Sequence, residues 1–397
     1  MVSVVFAAAL FAGTGAFAQN GTPINPNSKN ALTVAVYGDS PYGLNTTDTI
    51  QIDKTLAFIA SINADPKVDL VLHVGDIHSG KQYCTEAYDR GIYDLWSAFK
   101  DPLIYTPGDN EWSDCHKAGE GGHVYVDSPT NSIPVDYADG NPIANLDLVR
   151  SIFFANPGYS LGGRKKRVLT QAENYDLAHP IDGNFVENVM WEQSRVLFVT
   201  INVPGGSNND NDNWFGQART QAQTDEIAQR TQADLDWLDA AFAQAQKDSV
   251  EGVVIQAQAD MWDLDSKPVT HLVNYEPFIA SIATHTRTFG KPVLLFNGDS
   301  HHYRSDNPLE QGQPCVFEAA TGTGTVACSS IPAATDFTRD AWDNHPGYNV
   351  PNFHRVVVHG STEPLEWLRL TITPGANAPA GANAFGPFTW ERVDPLP

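Results

Sequence analysis

Four Gly-Asp pairs punctuate this chain, each directly after a short apolar run: Gly38-Asp39, Gly75-Asp76, Gly108-Asp109 and Gly298-Asp299. Histidines and amides share the same turns, as Asp76-Ile77-His78, Asp109-Asn110-Glu111 and Asp299-Ser300-His301-His302. A single pair is only a turn, because Gly and Asp are ordinary turn residues. The ordered set says more. If the apolar runs are neighbouring strands of an open α/β sheet, the crevice at their carboxyl ends gathers the carboxylates and a histidine. Carboxylates so gathered raise one another's pKa values and are costly to bury ionised, and divalent cations offset that cost. Two cations roughly 3.5 to 4 Å apart are the usual device for in-line attack on phosphorus.

The elements that must position these turns follow from periodicity. The runs 32–37, 70–74, 103–105, 196–203, 250–255 and 292–296 are of strand length and rich in branched residues. Between them Ile52, Leu56 and Ile59 recur at helical spacing, as do Leu235, Leu238 and Phe242, and a further helix fits 146–155. Strands alternating with helices predict an α/β sheet with helices on its faces. After Val316 strands alone follow, 356–358 and 367–372 being the clearest, which predicts an added antiparallel layer. The chain shows neither a repeat nor a linker, so it parses as one domain over 31–373, with an irregular tail over 374–397 rich in Ala, Gly, Asn and Pro. The irregular segments 116–142 and 205–213 are long enough to be functional loops.

Composition narrows the class. With 47 acidic against 24 basic residues the net charge is -23, which opposes docking onto phosphate backbones or anionic lipid and excludes nucleic-acid packaging. A hydrophobic share of 42% supports a large core. The apolar run 2–12, followed by Ala16-Phe17-Ala18, reads as a signal peptide over 1–18, although no positive charge precedes Val4. An extended leader over 19–30 follows, and the expected location is secreted or periplasmic. No later stretch reaches the roughly 18 apolar residues of a membrane span, so no stable anchor is expected. Cys84, Cys115, Cys315 and Cys328 are even in number, as disulfides in an exported chain would be, and pairing of neighbours is simplest. A zinc site finds no Cys-x-x-Cys spacing. Nothing indicates an obligate protein partner.

The ordered turns resemble the calcineurin-like metallophosphoesterase superfamily. Gly108-Asp109-Asn110-Glu111-Trp112 with Asp114-Cys115, Asn202-Val203-Pro204-Gly205 with Asn208-Asn209, and Gly298-Asp299-Ser300-His301 resemble a secreted bacterial branch of it. The resemblance implies a four-layer α/β/β/α sandwich with mixed sheets. It also implies an exported hydrolase in which a hydroxide on a dinuclear metal centre attacks a small phosphoester. Carried over by position, Asp39 matches the first Asp and Asp76 the bridging carboxylate, while Pro41 stands where the family has a metal-binding His. Asp109 replaces a metal-binding Asn, Asn110 replaces the His that assists catalysis, and Glu111 matches the motif's terminal acid. Gln258, with Gln256 as the alternative, replaces a lone His; Asp299 replaces the first His of the last motif and His301 matches its second.

The implied metal ligands are therefore Asp39, Asp76, Asp109, Gln258, Asp299 and His301, and the implied cofactors are two divalent ions. Exchange of imidazoles for carboxylates and amides makes the set oxygen-rich, which favours Mn, Mg or Ca over Zn or Fe. Asn110 cannot act as an acid, so protonation of a leaving group falls to His78 or His302, with His116 third. The iron-binding Tyr of a purple-acid-type enzyme is expected where Ser79 stands. The histidines missing at positions 41 and 110 also suit a catalytically weak or inactive relative serving as a binding module. The basic run Arg164-Lys165-Lys166-Arg167 reads as a phosphate holder or a solvated loop, and Trp112, Trp214 and Trp262 as pocket walls or packing.

Overall fold

The computed structural model describes residues 30–43, 45–46, 53–127, 132–209, 212–264, 267–321, 324–331, 347–361 and 365–394. The expected signal peptide, all but the last residue of the leader, and Ile52 lie outside them. The chain begins with β1 (Leu32–Tyr37), α1 (Thr55–Ala64), β2 (Val68–His73), α2 (Glu86–Trp96) and β3 (Pro102–Tyr105). A short ribbon of β4 (Tyr125–Val126) and β5 (Ile133–Pro134) precedes α3 (Pro142–Phe153), β6 (Leu161–Gly162), β7 (Leu169–Thr170), β8 (Val189–Gln193) and β9 (Val196–Thr200). Then come α4 (Gln221–Lys247), β10 (Gly252–Gln256), α5 (Glu276–Phe289), β11 (Val293–Asn297), β12 (Arg304–Asp306), β13 (Val316–Glu318) and β14 (Thr325–Ala327). β15 (Phe353–Val357), β16 (Trp367–Ile372), β17 (Ala384–Phe385) and β18 (Phe388–Val393) complete it.

These strands form two mixed sheets, ordered β17-β18-β16-β1-β2-β3-β6 and β14-β13-β12-β15-β11-β10-β9-β8-β7. Within the first, β1, β2 and β3 run parallel; within the second, β9, β10, β11 and β15 do. Strands buried on both faces read as unbroken apolar runs, as β1 does. Leu32, Val34 and Val36 face the core between the sheets, which they share with Phe198, Val254, Leu294 and Phe296 of the second sheet. Ala35 and Tyr37 face the opposite way, onto Phe58 and Ile62 of α1 and Ile92 of α2. The outer face of the second sheet, Val253, Ile255, Val293 and Leu295, packs on Trp237, Phe242, Phe278 and Ile282 of α4 and α5. The expected four-layer α/β/β/α sandwich is the observed architecture.

Two expectations change. The antiparallel layer predicted after Val316 is split: β12, β13 and β14 extend the second sheet and β16 the first, while β15 lies parallel to β11. The stretch 374–397, predicted irregular, contains β17 and β18, and β18 pairs with β16 from Trp367↔Val393 to Ile372↔Phe388. Phe388 and Trp390 alternate with exposed residues and close the inter-sheet core, a period-two signal that the surrounding Ala, Gly and Pro masked.

Cys84 pairs with Cys115 and Cys315 with Cys328, as neighbours. The first bridge ties the segment after β2 to the one after β3; the second staples β13 to β14. Both are compatible with an extracellular or periplasmic location. Among the described residues, no helix is long and apolar enough to cross a membrane.

Candidate metal centre

The carboxyl ends of the parallel strands of both sheets meet, and the Gly-Asp turns meet with them. Asp39 follows β1, Asp76 β2, Asp109 β3, Gln258 β10, and Asp299 and His301 β11. The sheets are stitched at this end: Thr106 Oγ1 donates to the Ile201 carbonyl at 3.0 Å, and Gln256 Nε2 donates to the His73 carbonyl at 2.6 Å. Gln256 is thus committed to the scaffold, and Gln258 is the glutamine in the site. Asp39 (φ 52°), Asp76 (φ 56°), Asp299 (φ 72°) and His301 (φ 62°) all adopt left-handed backbone. Such residues cost of order 1–3 kcal/mol each and persist where the surrounding structure over-determines them, commonly at functional sites.

Asp39, Asp76 and His301 each offer an atom within 4.8 Å of the other two. Asp39 Oδ1 accepts the Asp299 N–H at 2.8 Å and lies 3.5 Å from His301 Nε2, whereas Asp39 Oδ2, fully buried, meets no donor among the described residues. His301 is held from both sides, by Ser361 Oγ at Nδ1 (2.9 Å) and Tyr42 Oη at Nε2 (2.8 Å). Asp76 accepts the Asn110 N–H on Oδ1 (3.3 Å) and Asn110 Nδ2 on Oδ2 (2.9 Å). Gln258 spans two carboxylates: Nε2 donates to Asp109 Oδ1 (3.0 Å) and Asp76 Oδ2 (3.3 Å), while Oε1 accepts the Gly205 N–H at 2.6 Å. The implied ligand Gln258 therefore turns its nitrogen, not its oxygen, to the acids. The glycines of the turns are required by closeness: a Cβ at Gly108 would lie 1.9 Å from Asp76 Oδ1, and one at Gly298 2.0 Å from Asp39 Oδ2.

Burial, reinforced by Asp109, Asp39, Glu111 and Asp299, pushes the Asp76 carboxyl well above the usual range. Burial with Asp109 and Asp39 does the same to Asp299, and burial with Asp114 brings Asp109 to about 7. Among the described residues, only Asp109 has a cation acting against this rise, Lys117, and it does not offset the burial. Glu111 braces the two turns by accepting from Tyr105 Oη (2.5 Å), Gly108 N–H (2.6 Å) and Ile77 N–H (3.4 Å).

The three candidate histidines part company. His78 is fully buried against Tyr88, and burial lowers its pKa to about 4, so it stays neutral and away from water. His116 Nδ1 accepts the Phe215 N–H at 3.1 Å in a structural contact. His302 is half-buried, and its Nδ1 lies 2.6 Å from Glu318 Oε1. Burial opposes ionisation of Glu318, but hydrogen bonds from His302 and His359 outweigh it and hold its carboxyl at about 2. An ionised carboxylate only accepts, so His302 Nδ1 is the donor. Trp112 and Trp262 are fully buried under Arg230 and Arg355, and are packing residues.

Three of the four residues of the basic run are engaged by the scaffold: Arg164 pairs with Asp101 (2.9 Å), Arg167 with Glu173 (2.5 Å), and Lys166 is buried over Trp191 and bonded to Gln193, while Lys165 is exposed. Burial lowers Lys166 to about 7. The folded chain then binds fewer protons than the unfolded one between about pH 7 and pH 10, so this residue makes stability rise with pH across that window. Lys166→Met is expected to flatten that rise, read as urea midpoints of variant and parent at about pH 6 and about pH 9; equal slopes would refute it.

Sequence reasoning missed Tyr42, Ser361, Glu318, Asp260 and Arg355. Ser361 arrives on the segment after β15, a strand expected in another layer. Asp260 donates its N–H to Asp299 Oδ2 (3.2 Å) and accepts from Ser300 Oγ (3.0 Å) and Arg355. The Asp-x-Trp pattern at 260–262 was its one visible signal.

Acid-bearing turns of two parallel strand sets meet at one edge of this α/β fold, and there a buried carboxylate oxygen meets no donor among the described residues, an arrangement able to take a cation. The chain belongs to the calcineurin-like phosphoesterase family, whose sequence model matches residues 32–238 and so ends before Gln258, Asp299 and His301. A solved purple acid phosphatase from yellow lupin (Lupinus luteus) seeds is similar at 13% identity and a TM-score of 0.44, over 93% of this chain and 52% of that one. The chain therefore spans about half the length of that phosphatase. No curated protein matches.

Proposed function

We propose that the chain is an exported, cation-dependent hydrolase of a small phosphoester. The observation that carries this reading is Asp39 Oδ2, fully buried without a donor among the described residues, in a trio with Asp76 and His301. The residues fit a divalent cation: two carboxylates and an imidazole converge, and His301 Nε2, which meets Tyr42 Oη at 2.8 Å, also lies 3.5 Å from Asp39 Oδ1, so a cation there would take the place of the Tyr42 contact. A bound cation would supply Lewis-acid polarisation of the phosphoryl group and a more acidic water. The oxygen-rich surroundings favour Mn, Mg or Ca. Asp39, Asp76 and His301 are the ligands in this reading. Asn110 orients Asp76 through two hydrogen bonds, and Asp109 and Asp299 complete the acidic wall. His302, oriented by Glu318, is assigned the proton for the leaving oxygen; His78 is too deeply buried for that part.

Chelator-stripped protein should hydrolyse p-nitrophenyl phosphate or bis(p-nitrophenyl) phosphate only after Mn, Mg or Ca is restored. Absence of turnover with every cation and ester would return the binding-module reading. Gly298→Ala is expected to push Asp39 aside, since its Cβ would lie 2.0 Å from Oδ2. Cation affinity should fall about 10–100-fold, as for groups that position a ligand, with the circular dichroism spectrum retained; titration calorimetry with MnCl2 measures it, and unchanged affinity would remove Asp39 from the ligand set.

A further inference from the structure

We infer that the centre takes a single divalent cation, at Asp39, Asp76 and His301, and that the Gln258 amide stands in the place of a second. This rests on the cation-binding reading above and departs from the two ions that the sequence implied. Gln258 Nε2 lies between Asp76 Oδ2 (3.3 Å) and Asp109 Oδ1 (3.0 Å), the acids that would have to share that second ion. An amide nitrogen has no lone pair to offer a cation and turns its hydrogens toward the carboxylates. Rotating the amide to present oxygen would set its NH2 against the Gly205 N–H, which now donates to Oε1 at 2.6 Å, and leave a buried donor unpaired.

Gly205 cannot simply move to follow. It opens a turn in which Gly206, Ser207, Asn208 and Asn209 all have φ between 57° and 61°. That turn is anchored by the Ser207 N–H on Tyr275 Oη (3.0 Å), by Asn274 Nδ2 on Ser207 Oγ (3.0 Å) and by the fully buried Arg230 on Asn208. On the same side, Asp76 Oδ2 already receives Asn110 Nδ2 at 2.9 Å. The two halves of the centre are therefore unlike. Amide donors hold Asp109 Oδ1 and Asp76 Oδ2, the oxygens that face each other across Gln258, while on the side of Asp39 a buried carboxylate oxygen meets no donor among the described residues.

The test is titration of the chelator-stripped full chain with MnCl2, followed by calorimetry and electron paramagnetic resonance. One site per chain with the hyperfine-resolved signal of isolated Mn(II) is expected. Two sites with an exchange-coupled signal would overturn the inference. Gln258→His should admit a second Mn(II) and produce that coupled signal; a variant that still binds one ion counts against it. Gln258→Leu should keep the single site, and loss of that site would make Gln258 a ligand after all. Should either variant misfold, the stoichiometry and signal of the parent chain decide alone. One bound ion without phosphoester turnover would reject the hydrolase and leave this inference standing. Two coupled ions with turnover would do the reverse, and no Mn(II) binding would reject both.

Discussion

Asp76→Asn is expected to lower phosphoester turnover by about 10³-fold or more while leaving the chain folded. Asp76 joins Asp39 and His301 in the trio and is the acid that Asn110 and Gln258 both address. Losing a ligand carboxylate removes several kcal/mol of transition-state charge stabilisation, and each 1.36 kcal/mol is about tenfold in rate. The backbone tolerates the change, because Asn adopts left-handed conformations readily and Asp76 sits at φ 56°. Stability should move by about 1 kcal/mol at most: repulsion from Asp109, Asp39, Glu111 and Asp299 is relieved, while the new amide faces two amide donors. Turnover with p-nitrophenyl phosphate and a urea melt of the cation-free protein measure the two effects. Retained turnover would dismiss Asp76 as a ligand, whatever the number of cations bound.

Arg355→Ala should cost about 3–5 kcal/mol of folding stability, the penalty for removing one partner of a buried ion pair, here the cation of Asp260. Arg355 is fully buried on β15, gives Asp306 two bonds of 2.9 Å, and reaches Asp260 with its third nitrogen. Burial opposes ionisation of Asp306, but Arg355 and Arg304 overcome it and hold that carboxyl well below its usual range. Removing the guanidinium leaves Asp260 with only the neutral donors Ser300 Oγ and Trp262 N–H, next to Asp299, so the damage should spread to the centre and weaken cation binding as well. Arg355→Lys should not rescue it, since an ammonium cannot reproduce a planar fork. A loss below about 1 kcal/mol in urea would show that this network contributes little.

The strands and their acids were legible because both signals are local. A parallel strand buried on both faces must be apolar along its length, and a turn at its carboxyl end favours Gly and Asp; residues 32–39 display both. Closeness explains the glycines too, although the contact between Gly298 and Asp39 joins residues that lie far apart in the chain. The expected helices are present, with Leu238 and Phe242 buried on α4 as the spacing required, but α1 buries Phe58, Ile59 and Ile62 and leaves Leu56 of the expected stripe exposed. The tail was misread because Ala, Gly and Pro dominate its composition, while Phe388 and Trp390 earn their burial only against the other sheet.

The sequence by itself determined the class of fold, the acidic character of the site and the order in which its turns occur, since each depends on neighbours within a few residues. The tertiary structure alone decided what each side chain faces. It turned Gln258 nitrogen to the acids because a backbone N–H from β9's far loop claims the oxygen. It brought Tyr42 and Ser361 to His301, buried His78 and left His302 within reach of water. Hydrogen-bond direction and burial are properties of groups distant in the chain and close in space, and no spacing rule along the sequence contains them.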